Sequence, residues 1–344
     1  MTVTVRPRFG AAAFGRARLA ILLVLAGLTC EVFAEPPKFQ VPIQCVVGED
    51  CFIQNYFDHD TGPGWRDHAC GPLSYDGHHG TDFRLKNLLQ MEKGVAVVAA
   101  AAGTVERVRD GEPDISLRDR EQPLARGREA GNAVRIDHGQ GWVSQYNHLK
   151  KNSVQVRPGQ RVETGTTLGL VGLSGKTEFP HVDLTIRKDG QPIDPFSPDG
   201  NAPCGKSAST LWAAEALPAV AYRATGLLNA GFSSRLPDRH FIQRGEHPEV
   251  TLDGNAAAIF FHVEVFGVRA GDIEELEVRS PTGRTLSRRT VTLDRDLAVR
   301  QAYLGKRRSQ QSWEVGEYRG SYVLRRTDRI VLDVSRKVEV TAPY

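Results

Sequence analysis

No two of the five cysteines are spaced C-x-x-C, which argues against a thiolate zinc site or a thioredoxin-type redox pair. There is no phosphate loop. In "GLVGLSGKT" the first glycine of GxxxxGK[ST] falls on Leu170, and an exported chain meets little ATP. "GLSGK" lacks the second glycine of a nucleophile elbow, at Lys176. Charge of one sign is missing too. Of 44 basic and 41 acidic residues, four arginines and one glutamate lie in residues 1–34, so the rest is balanced and nothing points to nucleic acid. What remains is an ordinary folding composition: 344 residues, 40% hydrophobic and 25% charged, enough for two domains and unlike disordered or fibrous chains.

The N-terminal run "LAILLVLAGLTC" follows Arg6, Arg8, Arg16 and Arg18. It falls short of the ~18 apolar residues of a membrane span but suits the core of a signal peptide. "VFA" at 32–34 puts small or medium residues where a signal peptidase reads, so residues 1–34 are expected to be removed after Ala34. The chain is then periplasmic or secreted. Cys45, Cys51, Cys70 and Cys204 remain in an oxidising compartment. Of three pairings, Cys45 with Cys51 and Cys70 with Cys204 are favoured.

The segment from about 40 to 90 is too rich in Gly, Pro, Asp and aromatics for a regular helix. Beyond it, short apolar runs separated by turn residues predict an all-β fold. Val134 and Ile136, and Val182, Leu184 and Ile186, alternate with polar residues as antiparallel strands require. "DHGQGW" and "KDGQP" are hairpin turns. Residues 106–131 interrupt the strands with a charged surface insertion long enough to wall a groove. The expected organisation is a first β-domain over 35–205, a linker over 206–225, and a β-sandwich over 226–344 with a "SPTG" turn at 280–283. The sandwich carries no catalytic cluster, and its histidines, His240, His247 and His262, read as surface or core residues.

Chemistry concentrates in three segments of the first domain: "GHHGTD" (77–82), "QYNHL" (145–149) and "FPHVD" (179–183). A hydrolytic metal centre needs about three protein ligands and an open position, and His, Asp and Glu supply them. His78 and Asp82 lie four apart around a glycine that lets the backbone bend. His181 and Asp183 share one face of a strand, because side chains alternate with period two. His79 is expected to point away and His138, in the "DHG" turn, to be structural.

In order and spacing, "GHHGTDF", "GNAVRIDHGQGWVSQYNHL", "VRPGQRVETGTTLGLVGLSG" and "FPHVDLTIR" resemble the lysostaphin-type (LytM-like) zinc metalloendopeptidases that cut peptidoglycan peptides. The resemblance covers about residues 70–197. It implies a LytM-like antiparallel β-domain related to lipoyl-type barrels and sandwiches, and a zinc endopeptidase acting on peptidoglycan peptide cross-links. Carried over by position, it makes His78 and Asp82 metal ligands, His148 and His181 catalytic, and residue 183 the third ligand. The family has histidine there, and this chain has Asp183. Two carboxylates offset more of the dication's charge than one, and oxygen-rich sets drift toward harder divalent metals. Asp is also shorter than His, so a shift of the ion or strand, or a bridging water, is expected. The alternative is a catalytically impaired LytM-like domain that binds peptidoglycan or activates another cell-wall hydrolase. The C-terminal sandwich is expected to place the protein on the wall or on an envelope protein partner.

Overall fold

The computed structural model describes residues 1–7, 10, 35–200, 205–245 and 249–343. The expected signal-peptide core and cleavage site, Cys204 and His247 lie outside the described residues. The chain divides into two units, 1–35 and 36–344, and the description below concerns the second. Among the described residues no helix is long and apolar enough to cross a membrane.

The first half of this unit carries ten strands: β1 (Cys51–Asn55), β2 (Thr81–Leu85), β3 (Ala96–Val98), β4 (Gly103–Arg109), β5 (Asn132–Gly139), β6 (Trp142–Leu149), β7 (Arg161–Val162), β8 (Thr167–Leu170), β9 (His181–Lys188) and β10 (Gln191–Ile193). Helix α1 (Leu88–Lys93) is short, capped by the Asn87 side chain, which accepts from Gln90 N. The main sheet is antiparallel in the order β1-β2-β9-β6-β5-β4-β7, with β10 added at β9; β3 and β8 pair separately. The sheet is open rather than closed into a barrel. Its hairpins follow the turn residues: Asp189 and Gly190 both take positive φ, 50° and 82°, so the β9–β10 reversal twists in the sense of its strands.

Alternation decides which face is buried. Val134, Ile136, Tyr146, Val182, Leu184 and Ile186 are fully buried on one face, while His181 and Asp183 occupy the other. The 206–225 segment contributes Leu211, Trp212, Ala216 and Val220 to the same core. The expected Cys45–Cys51 disulfide is present and closes the loop before β1.

The second half is a β-sandwich. β11 (Gly226–Ser233), β13 (Ala258–Val268) and β16 (Leu297–Arg307) form one sheet. β12 (Thr251–Asp253), β18 (Arg329–Thr341), β17 (Gly316–Arg326), β14 (Ile273–Arg279) and β15 (Thr285–Thr292) form the other in that order. Phe232, Phe261, Val263 and Val265 meet Leu276, Val278, Tyr322, Leu324 and Val338 in a second core. Helix α2 (Arg239–Arg244), capped by Asp238, lies near α1, and its Gly245 C-cap approaches the Asn87 side chain closely. His262 is buried in β13 with Phe241 against its ring edge, a core histidine as expected, and His240 is exposed.

Candidate metal centre

Four polar residues form one row across four neighbouring strands. Asn55 on β1 pairs with Asp82 on β2, Asp82 with Asp183 on β9, and Asp183 with Asn147 on β6. The outer residues clamp the inner ones. Asn55 Nδ2 donates to Asp82 Oδ2 at 2.7 Å, and Asn147 Nδ2 donates to Asp183 Oδ2 at 2.8 Å. Gln145 extends the row by donating to Asn147 Oδ1 at 2.7 Å. One oxygen of each carboxylate is thereby fixed, leaving the two Oδ1 atoms for something else.

His78 enters from the loop before β2, where Tyr75 stacks on its ring at 4.4 Å between centroids. Its Nε2 lies 3.3 Å from Asp82 Oδ1, and one ligand atom each from His78, Asp82 and Asp183 falls within 4.8 Å of the others. The shorter aspartate thus reaches the group from its place opposite Asp82. Gly80 is what makes room: a Cβ on it would stand 1.8 Å from Asp183 Oδ1. The backbone bends at Gly80 as the sequence suggested, and because its φ is not positive it is the close approach of Asp183 that calls for glycine.

His148 and His181 flank this group with ring centroids 4.6 Å apart. His148 Nδ1 is 2.7 Å from the Ser174 carbonyl, and His181 Nδ1 is 2.9 Å from the Phe179 carbonyl and 3.1 Å from Thr177 Oγ1. A carbonyl only accepts, so both Nδ1 atoms carry the hydrogen and both Nε2 atoms keep a lone pair. His181 Nε2 lies 3.5 Å from Asp82 Oδ1. His148 sits at φ 62°, a left-handed conformation uncommon outside glycine, held by its own N–H donating to the Ala130 carbonyl at 2.9 Å.

Charge is crowded in this buried space. Burial pushes Asp82 up, but His78 and His181 beside it outweigh that and hold it below the usual carboxylate range. Asp183 goes the other way, raised by burial and by the negative Asp82 opposite. Burial pulls His78 down, yet Asp82, Asp183 and Asp58 leave it raised overall. Burial and the neighbouring His181 push His148 down to about 3, so it is neutral at neutral pH. His78 Nε2, Asp82 Oδ1 and Asp183 Oδ1 are all buried without a hydrogen-bond partner. Three orphaned acceptor-type atoms facing one another are what a divalent cation would satisfy, and one nitrogen with two oxygens is a suitable donor set.

The remaining expected residues separate cleanly. His79 is exposed beside Phe57. His138 is held by the Ala102 carbonyl and Ser144 Oγ, a structural role. Residues 106–109 of the expected insertion are the end of β4, paired with β5; the loop proper, 110–131, is latched along the site's flank, with Leu117 N donating to Thr177 O at 2.7 Å and Glu129 O accepting from Lys176 N at 2.8 Å. With β4, β5 and β6 it walls a groove of about 540 Å³ lined by Arg107, Arg109, Glu129, Arg135 and Gln145. Asn55, Asn147, Gly80's clearance and Tyr75 were not singled out in the sequence. Asn147 alone had a local signal, its place beside His148 in "QYNHL".

Residues 76–195 match Peptidase family M23. Over 117 residues, 34% of this chain and 22% of the relative, the chain is 31% identical to the peptidoglycan DD-endopeptidase ShyA of Vibrio cholerae. Over 121 residues, 33% and 18% respectively, it is 34% identical to the cell division protein DipM of Caulobacter vibrioides. The matched part spans about a fifth of the length of these curated relatives. Similar solved structures include a zinc containing peptidase from Vibrio cholerae, with 23% identity and a TM-score of 0.27 over 41% of this chain and 39% of that one. Another is the catalytic domain of the prophage-encoded M23 protein EnpA from Enterococcus faecalis, with 21% identity and a TM-score of 0.30 over 49% and 98%.

Proposed function

We propose that the domain matching Peptidase family M23 at residues 76–195 is a zinc-dependent endopeptidase that cleaves peptide cross-links of peptidoglycan outside the cytoplasm. His78, Asp82 and Asp183 would hold the metal, with Asp183 an atypical third ligand. The observation that carries the proposal is the trio of buried, unpartnered atoms on those residues. A divalent cation bound there supplies Lewis acidity toward a peptide carbonyl.

The chain's own contribution lies in the two flanking imidazoles. Their Nδ1 hydrogens are committed to backbone carbonyls, so each ring is fixed and presents Nε2 to the substrate. A lone pair at Nε2 accepts a proton from water as it attacks; the imidazolium formed then donates to the developing oxyanion or returns the proton to the leaving amine. Asn55 and Asn147 hold the carboxylates' outer oxygens and keep the inner ones aimed inward. The groove beside Gln145 would receive the peptide, and the sandwich would position the domain on the wall or on an envelope protein.

Asp183 supports a second reading. Two carboxylates leave less net positive charge at the centre than one would, which lowers Lewis acidity and favours harder ions over zinc. A domain that binds peptidoglycan without cutting it, or activates another hydrolase, has the same geometry. Metal analysis of the purified protein together with digestion of purified peptidoglycan separates them. Bound metal with release of new amino termini supports the peptidase. Metal without cleavage supports the binding domain. No metal and no cleavage in zinc-, manganese- or cobalt-supplemented buffer rejects the metal centre.

A further inference from the structure

A second charged site lies between the two β-halves, apart from the metal centre. It is a cleft of about 340 Å³ lined by Gln54, Arg84, Phe179, Arg239, Glu264 and Gln301 among others. That volume suits a small molecule.

Its charges are poorly satisfied by the protein. Glu264 on β13 is 1% exposed; its Oε1 accepts from Gln301 Nε2 at 2.9 Å, while Oε2 is buried with no partner. Arg239 at the start of α2 donates through Nε to Gln243 at 3.3 Å and leaves Nη2 buried and unpartnered. Arg84 is 2% exposed, donates to the Leu85 carbonyl and to Gln54 Oε1, and lays its guanidinium over the Phe179 ring at 4.6 Å. None of these three makes an ion pair within 4 Å among the described residues, although Glu264 is near enough to offset part of the Arg84 charge; Arg118 and Glu178 at the same cleft pair with each other at 2.5 Å. Buried charges without partners are costly, and natural sites that keep them generally bind something that satisfies them.

We propose that this cleft is a binding site for a small zwitterion, an amino acid or short peptide with a free ammonium and a free carboxylate. The ammonium would meet Glu264 Oε2, an acidic oxygen without a hydrogen-bond partner, and the carboxylate would meet Arg239 Nη2, with Arg84 adding positive charge behind it. A simple anion would leave Glu264 unsatisfied, and a simple cation would be repelled by two guanidiniums. Phe179 ties the cleft to the metal centre, because its ring also lies 4.6 Å from the His181 ring and its carbonyl holds His181 Nδ1 at 2.9 Å. Occupancy therefore bears on how firmly His181 is held. The binding site itself does not depend on the peptidase reading.

The test is titration calorimetry of the full chain with alanyl-alanine, its N-acetyl form and its C-terminal amide. The zwitterion should bind, and blocking either end should weaken binding about tenfold or more, the size of one lost charge-assisted hydrogen bond. Glu264→Gln and Arg239→Gln should each produce a similar loss, with folding checked by circular dichroism. The blocked ligands test the same point without altering the protein. Absence of binding at millimolar alanyl-alanine overturns the site. So does equal binding of the blocked forms, or binding unchanged in a folded variant.

Discussion

Asp82 and Asp183 stand directly opposite each other on β2 and β9, each with its outer oxygen held by an asparagine and its inner oxygen turned toward the candidate metal position, where His78 and His181 approach Asp82 Oδ1 at 3.3 and 3.5 Å. Like charges in register on adjacent strands destabilise a sheet. The arrangement persists because His78, made more basic by both carboxylates, offsets part of the repulsion and because a cation between the inner oxygens would convert it into attraction. The asparagines do not neutralise charge; they choose which oxygen faces inward.

Asn147→Ala should therefore weaken metal binding by about 10–100-fold, the usual cost of losing an outer-shell partner. Asn55→Ala should act similarly through Asp82. Zinc competition with a chromogenic chelator measures both. Unchanged affinity would mean that the carboxylates are oriented by the backbone alone.

Gly80→Ala puts a methyl group where Asp183 Oδ1 now lies, 1.8 Å from the new carbon, with the Leu184 carbonyl at 3.2 Å. The aspartate must rotate out of the group or the strand must shift. We expect loss of metal binding together with about 1–3 kcal/mol of destabilisation, as for other overpacked sites. Denaturant titration and metal analysis on one sample would check this; normal metal content would show that Asp183 is not a ligand.

The candidate residues were legible because a metal-type site is written in residue type: His78, Asp82, His148, His181 and Asp183 stand out in the sequence, and the structure brings His78, Asp82 and Asp183 into one group. Period two sufficed to place His181 and Asp183 on one face. The asparagines were not legible, since their role arises from registers between β1 and β2 and between β6 and β9, which no local pattern encodes. The bend at Gly80 was legible, but its second role was not, because a sequence cannot show that the glycine also makes room for Asp183 on another strand. In the sandwich, "GLLNAGFS" and "LAVRQAYLGKR" carry a weak local strand signal; both mix small or charged residues into a β-pattern that only pairing with β13 completes.

Asp183→His restores the ligand type expected from the family resemblance. Zinc affinity should rise and preference for zinc over manganese should sharpen, because imidazole suits zinc better than a harder ion. Competition titration with both metals checks it, and no change would argue that position 183 does not contact the ion.

His148→Asn tests catalysis without removing a metal ligand. Asparagine tolerates the left-handed backbone found at this position, so the fold should hold. Activity on peptidoglycan should fall by about 10²–10⁴-fold with metal content unchanged, the range for a lost proton-transfer group. Release of new amino termini is the readout, and a variant that cuts normally would place His148 outside the reaction.

His262 gives a pH dependence confined to the sandwich. Burial pushes its imidazole down to about 4, from an ordinary value of 6.5, and its Nδ1 has no hydrogen-bond partner. The unfolded chain thus takes up a proton at higher pH than the folded chain does. Stability from keeping this group neutral is complete above about pH 6.5 and drains away as pH falls toward 4, by about 3 kcal/mol at the lower end. His262→Leu, which keeps the core filled and cannot titrate, should remove that part of the slope. Amide exchange along β13 at pH 7 and pH 4, compared between the two proteins, isolates it from other titrating groups. Equal loss of protection in both would mean that the acid sensitivity of this sheet arises elsewhere, with the paired Glu274 and Arg300 between β14 and β16 as the next groups to change.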